Sequence, residues 1–325
     1  MTGDRGRRTG THVYLRSLVL GLPSIFKRSA KYSRFQGIMH RFRAGAGAFQ
    51  PCGFAAPQKV EENKKNQRIL LHRSDHLMDT FFESLIQAMQ PGQIERVRIG
   101  LHWTLVTARV GDEIRAGLAT TLPSVGHHHR DWPDVREAGE LERMDARALA
   151  DLLASPSPVE RSVGLATINA LLPRQPQQWQ DINAEEVIAR AGAEKTVVIV
   201  GHFPFTQRLR ERVGKLVVLE LAPRGEDLPA EQAPVWIPRA DVLAITSVTI
   251  LNHTLADLLA LRRPDALTLM LGPSTPLHPL MYDLGVDILS GSIVTDIGAV
   301  TQKLCQGAGF RQIQHAGVRL VTLER

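Results

Sequence analysis

From Met78 onward apolar and polar residues recur with the periods of regular elements, whereas residues 1–77 carry no such order. Within Asp79 to Met89, Phe81, Phe82, Leu85 and Met89 share one helical face, and Pro91-Gly92 stops the run. Val97 to Val110 reads as a strand, Gly111-Asp112-Glu113 as a turn and Ile114 to Leu122 as a second strand, which predicts a β-hairpin. Met144 to Ala154 has helical spacing with Asp145 as its N-cap. Ser157-Pro158-Val159-Glu160 then supplies a capping Ser, a Pro at the first helical position and a Glu placed to reach back to the cap. The helix so opened stays apolar from Val163 to Leu172 and ends at Pro173. Together these elements predict a small α+β domain over residues 78–175.

The Gln- and Pro-rich stretch Pro173 to Gln180 reads as a linker. Beyond it, over 181–325, Asn183-Ala184-Glu185-Glu186 caps a helix that ends near Gly192, and strands then alternate with helices. The pattern places strands at Thr196–Val200, Leu216–Leu221, Val242–Thr246, Leu267–Leu271 and Val286–Ser290, with helices around 206–213, 249–261 and 279–284. Short, continuously apolar strands that each lead to a helix indicate a parallel sheet buried on both faces. The expected fold is α/β, a small α+β domain followed by a Rossmann-like parallel-sheet domain.

Composition and charge narrow the partners. With 43% hydrophobic residues and 26 Gly in 325, the chain is globular, and disorder throughout is excluded. The net charge of +6 is uneven: residues 1–76 hold 15 Lys/Arg against Asp4, Glu61, Glu62 and Asp75, a net of +11, so the remainder carries −5. The basic leader, 1–77, reads as disordered; it fits polyanion binding, a targeting segment, or translated sequence upstream of a start at Met78. Its apolar stretch Leu15 to Phe26 is broken by Arg16, Gly21, Pro23 and Ser24 and falls short of the ~20 residues of a membrane span. No secretory h-region follows Arg7-Arg8. An acidic body with 5% aromatic residues disfavours nucleic acid as a partner. Two cysteines, Cys52 and Cys305, make neither a disulfide framework nor a Cys-x-x-Cys site, which fits a reducing, cytoplasmic setting.

Open parallel sheets bind ligands beyond the carboxyl ends of their strands. Three loops fall there. Gly201-His202-Phe203-Pro204-Phe205-Thr206 is a tight turn but no dinucleotide fingerprint, because Phe203 and Thr206 stand where glycines are needed, and no Walker A sequence exists. Glu220 ends the next strand roughly 20 residues after Gly201, where nucleotide-binding sheets keep a ribose-binding acid. A nucleotide-like cofactor therefore stays open beside a merely solvated or capping carboxylate. The second loop, Thr246 to Thr254 with Asn252 and His253, is rich in hydroxyls and amides that suit an oxygen-rich ligand or ordinary helix caps. In the third, Gly272-Pro273-Ser274-Thr275-Pro276-Leu277-His278-Pro279, prolines stiffen a loop that carries Ser and Thr. Among 12 histidines, His127-His128-His129 reads as a solvated loop or a soft-ion site, while His202 and His278 with Glu220 offer a nitrogen, nitrogen and oxygen set for a transition ion. No Gly-x-Ser-x-Gly elbow supports serine catalysis, and Asp283, Asp287 and Asp296 read equally as surface charges or as acids and bases.

Several of these stretches, in this order, resemble one family. Ile99-Gly100-Leu101-His102-Trp103-Thr104, Gly117-Leu118-Ala119, Gly164 to Ala170, Gly201-His202-Phe203-Pro204, Leu219-Glu220, Thr246 to Thr254 and Gly272 to Pro276 are similar to the bacterial and archaeal "putative heavy-metal-chelation" domain family over about 78–320. The resemblance implies an enolase-N-terminal-like domain followed by a Rossmann-like one, with a site in the cleft between them. It also implies handling of a heavy or transition metal, directly or through a small chelating molecule. Asn169 on the small-domain helix would then face the Gly201, Asn252 and Gly272 loops. The candidate ligand-binding set is Asn169, Gly201, His202, Phe203, Glu220, Thr246, Asn252, Thr254, Gly272, Pro273, Ser274 and Thr275, with His202, Glu220 and His278 as metal donors. An enzyme with a nucleotide-like cofactor is the alternative, an interaction protein or homo-oligomer a third reading, and enolase chemistry itself is not implied by a shared shape.

Overall fold

The computed structural model describes residues 78–124 and 133–325; the basic leader and His127-His128-His129 lie outside them. Helix α1 (78–87) buries Phe81, Phe82 and Leu85, three of the four residues that its spacing places on one face. Strands β1 (Gln93–Ile99), β2 (Trp103–Val110) and β3 (Glu113–Thr120) form an antiparallel sheet in the order β1-β2-β3. The expected β2–β3 hairpin turns at Gly111, whose φ is +59°. The expected single strand over 97–110 is instead two strands, folded back at residues 100–102, where the Gly100 N–H donates to the Trp103 carbonyl at 2.9 Å. Leu101 at that turn is apolar yet 72% exposed, so hydrophobicity alone hides the reversal.

Helix α2 (Ala146–Ala150) starts at Asp145, whose carboxylate accepts the Ala148 N–H at 2.8 Å, and the chain runs on as a 3-10 turn to Ala154. Helix α3 (Pro158–Leu171) starts at Ser157, whose hydroxyl accepts the Glu160 N–H. The Glu160 side chain does not return to that cap. It is taken by Arg136, at 3.0 and 3.2 Å from the guanidinium and 2.9 Å from the backbone N–H, and by the Ser155 hydroxyl. Helix α3 packs on β2 and β3. It comes so near that a Cβ on Gly117 would lie 2.1 Å from the Ala166 carbonyl oxygen, and only the missing side chain permits the contact.

After a short 3-10 turn, α4 (Ala184–Ala191) is capped by Asn183 and followed by Gly192, as its sequence predicts. Then come β4 (Thr196–Val200), α5 (Thr206–Leu209), β5 (Lys215–Glu220), β6 (Leu228–Pro229) and α6 (Ala233–Trp236). β7 (Val242–Thr246), α7 (Val248–Leu251), α8 (Leu255–Ala260), β8 (Leu267–Leu271) and α9 (Leu280–Asp283) follow. The chain ends in β9 (Ile288–Val294), α10 (Ile297–Cys305), α11 (Phe310–Gly317) and β10 (Val318–Glu324). The sheet order is β10-β9-β8-β7-β4-β5-β6, with every pair parallel except β10 against β9.

Three expected placements shift. The strand expected at Val286–Ser290 begins two residues later, the helix expected over 206–213 is a single turn, and the helix expected over 249–261 is two helices. The last break has a local cause: Asn252 accepts the Thr254 N–H at 3.2 Å and its hydroxyl at 2.7 Å, and His253 sits at φ +59°. Leu165 and Ile168 of α3 share one buried core with Leu243 and Ile245 of β7, so the two sheets are packed as one body. A second contact sets Trp103 on Phe310, ring centroids 5.3 Å apart. No helix among the described residues is long and apolar enough to cross a membrane.

Candidate functional site

The strand order carries the site argument. β5 lies to one side of β4 and β7 to the other, so the chain reverses its direction of travel across the sheet at β4, and the loops leaving β4 and β7 diverge there. Gly201, directly after β4, has φ +104°, and a Cβ on it would lie 3.0 Å from the Thr246 side chain at the end of β7. One loop further along, a Cβ on Gly272 (φ +127°) would lie 2.7 Å from the Ser247 hydroxyl. The carboxyl ends of β4, β7 and β8 therefore touch in series through two glycines and two small hydroxyl residues.

His202 is held at both its backbone and its ring. Its N–H donates to Glu220 Oε2 at 2.7 Å, and its Nδ1 lies 2.8 Å from Asp227 Oδ2. The Asp227 side chain is 3% exposed and also accepts the Arg224 N–H at 3.1 Å, whereas the His202 side chain is 34% exposed. Glu220 spends its other oxygen on the N–H groups of Leu221, at 2.7 Å, and Ala222, at 3.5 Å, so it caps the end of its own strand. Phe203 stacks on Phe205 at 5.4 Å.

In the β7 loop the hydroxyls serve the backbone. Thr246 Oγ1 accepts the Val248 N–H, the Thr249 hydroxyl donates to the Thr246 carbonyl at 2.7 Å, and Asn252 and Thr254 bond each other. In the β8 loop, Ser274 is wholly buried; its hydroxyl accepts the Thr120 N–H at 2.8 Å and lies 3.1 Å from the Thr120 hydroxyl. Asn169 Nδ2 donates to the carbonyls of Ser274, at 3.0 Å, and Leu118, at 3.1 Å. Asn169 thus meets the Gly272 loop from the three-stranded side, and its hydrogen bonds go neither to Gly201 nor to Asn252. Asn169 Oδ1 and Thr275 Oγ1 are both buried without a hydrogen-bond partner. The Pro273 carbonyl accepts the Ser292 hydroxyl at 2.8 Å.

The expected metal donors do not fit a bare ion. Among the described residues no three His, Cys, Asp or Glu side chains gather where an ion could sit. Glu220 has both oxygens engaged by backbone N–H groups. His278 Nδ1 accepts the Leu280 N–H at 3.3 Å, which keeps its proton on Nε2, and burial lowers the pKa of the ring. The His202 side chain stays 34% exposed. Asp227 and Ser247 also touch these residues, although the expected set omits both. Asp227 follows no spacing rule relative to His202, and Ser247 is one more hydroxyl in a loop full of them.

A family model described as "Putative heavy-metal chelation" (DUF364) matches residues 183–322, and a second of the same description (DUF4213) matches residues 82–172. A DUF364 protein of unknown function from Desulfitobacterium hafniense is 24% identical, with a TM-score of 0.62 over 76% of this chain and 98% of its own. Another from Pyrococcus horikoshii is 21% identical, with a TM-score of 0.66 over 77% of this chain and 100% of its own. No curated protein matches. At these identities the solved structures speak for the fold alone, while the two consecutive matches cover both sheets: the chain belongs to the family described as "Putative heavy-metal chelation".

Proposed function

We propose that this chain binds a small polar molecule of the metal-chelating kind in the crevice at the carboxyl ends of β4, β7 and β8. The observation that carries the reading is the reversal of strand order at β4, where Gly201 meets Thr246 and Gly272 meets Ser247. Such a point leaves a groove where two loops diverge, and the two glycines let the Thr246 and Ser247 side chains pack the three strand ends closely at its floor. The proposed lining is Gly201, His202, Phe203, Thr246, Asn252 and Thr254 on one side and Gly272 and Pro273 on the other, with the buried Ser274 and Thr275 supporting that loop from behind. Asn169 closes it from α3, and Glu220 braces the His202 backbone. In the finer terms of the family resemblance, this is a cleft between an enolase-N-terminal-like and a Rossmann-like domain, 78–175 and 181–325. The chelating molecule, and not the protein, would supply most donors to a metal, in keeping with the engaged oxygens of Glu220 and the engaged nitrogen of His278.

The test is native mass spectrometry with elemental analysis of untagged protein purified without chelators. The reading expects an organic molecule, with or without a metal, as an added mass. A stoichiometric metal with no organic companion would overturn it in favour of a bare-ion cage. A retained nucleotide would move the assignment to an enzyme with a nucleotide-like cofactor, a role that Glu220 fits less well now that its carboxylate caps the backbone.

A further inference from the structure

The misfit between the family's description and the donors present points to a specific division of labour. His202 Nδ1 is 2.8 Å from a carboxylate that is 3% exposed and itself fixed by the Arg224 N–H. A carboxylate can only accept, so Asp227 selects the tautomer with the proton on Nδ1. The Glu220 bond to the His202 N–H pins the backbone from which the ring projects. The lone pair then resides on Nε2, across the ring from the buried carboxylate, on a side chain that is 34% exposed. A histidine that donates one ring N–H to a carboxylate and offers the other nitrogen is the arrangement metal-binding histidines adopt.

We infer that His202 is a lone protein ligand that completes the coordination of a metal already held by a chelating molecule, with Asp227 as its positioning residue. This deepens the crevice reading and rests on it. The ligand class is thereby narrowed: an organic chelator that leaves one coordination position of a nitrogen-preferring ion open. A fully saturated chelate would have nothing to take from Nε2, and a hydrated ion would find one nitrogen where stable protein sites assemble three or four donors.

The test uses full-length protein labelled with nitrogen-15 histidine and copper(II) dipicolinate as the probe, a tridentate chelate with one strong position open. Wild-type protein alone should show His202 protonated on Nδ1, and substoichiometric probe should broaden the His202 resonances ahead of those of other histidines. In Asp227→Asn protein whose remaining spectrum is unchanged, the tautomer should redistribute toward Nε2–H and the probe should bind about 10- to 100-fold more weakly. A proton on Nε2 in the wild type would overturn the inference without any variant. So would broadening at His202 no greater than at other solvent-exposed histidines. Both results are independent of what co-purifies, so an organic molecule retained by a protein that fails the probe test would sink this inference and leave the crevice reading standing.

Discussion

Glu160 shows how a single residue couples charge to folding. Its side chain is 2% exposed at the start of α3, and burial works to raise its carboxyl. Hydrogen bonds from the Arg136 guanidinium and backbone N–H and from the Ser155 hydroxyl outweigh burial and hold the group below its ordinary value of 4.5. A carboxyl whose folded pKa is depressed adds stability in full above its unfolded pKa and loses it as pH falls through the folded value. Glu160→Gln should therefore cost about 1.5–3 kcal/mol at neutral pH, the range for hydrogen bonds to a charged group. Denaturant midpoints of the two proteins, measured from pH 7 down to pH 3, should converge below the ordinary carboxyl range, and a gap that stays constant with pH would refute the ionic origin. His278 adds in the same direction, since burial lowers its pKa and protonation below its ordinary 6.5 favours the unfolded chain.

At the scale of elements, α3 is positioned by the absence of side chains on the strand beneath it. An alanine at Gly117 would place its Cβ 2.1 Å from the Ala166 carbonyl and 2.3 Å from the Ala170 nitrogen, both backbone atoms of a packed helix. Gly117→Ala should lower stability by at least the roughly 1–3 kcal/mol typical of overpacking, because the helix must retreat as a whole. A thermal midpoint within experimental error of the wild type would show that α3 can slide. The elements most legible in the sequence are those with caps: Asp145, Ser157 and Asn183 each accept an N–H of the helix that they open. Buried strands β4, β7 and β8 are equally legible, since short apolar runs bounded by polar or Gly residues and followed by helices allow little else. The misses share a different physics. The 100–102 reversal contains an exposed Leu, β6 is two residues long and held by its neighbour, and edge strand β10 breaks the strand period, with Arg319 and Leu320 both exposed and Val321 to Leu323 all buried. The candidate site was legible as loops but not as contacts: Asp227 reaches His202 only because β6 returns beside β5.

Across the whole molecule, the two sheets are joined by buried polar contacts as well as by a shared core. Ser274 accepts the Thr120 N–H, and Asn169 holds the Ser274 and Leu118 carbonyls. Ser274→Ala leaves the Thr120 N–H without that acceptor and should cost about 1–3 kcal/mol. Hydrogen exchange should quicken at Thr120 and along the edge of β3, while amides at the centre of β7 keep their protection relative to global unfolding. Uniform loss of protection would mean that the seam is not a separate weak point. A ligand that spans this seam and binds only the folded chain adds stability that grows with the logarithm of its concentration relative to Kd.

A small molecule held in the proposed β4–β7–β8 crevice should stay with the protein through purification. The direct measurement is quantitative mass analysis of molecules released on denaturing untagged wild-type and Gly201→Val protein, both shown to unfold cooperatively. Valine at φ +104° is strained and presses on Thr246, 3.0 Å from its Cβ, which displaces the ends of β4 and β7 at the floor of the crevice. The account predicts an organic molecule released from the wild type and lost from the variant; equal release from both would place the bound molecule elsewhere and contradict it.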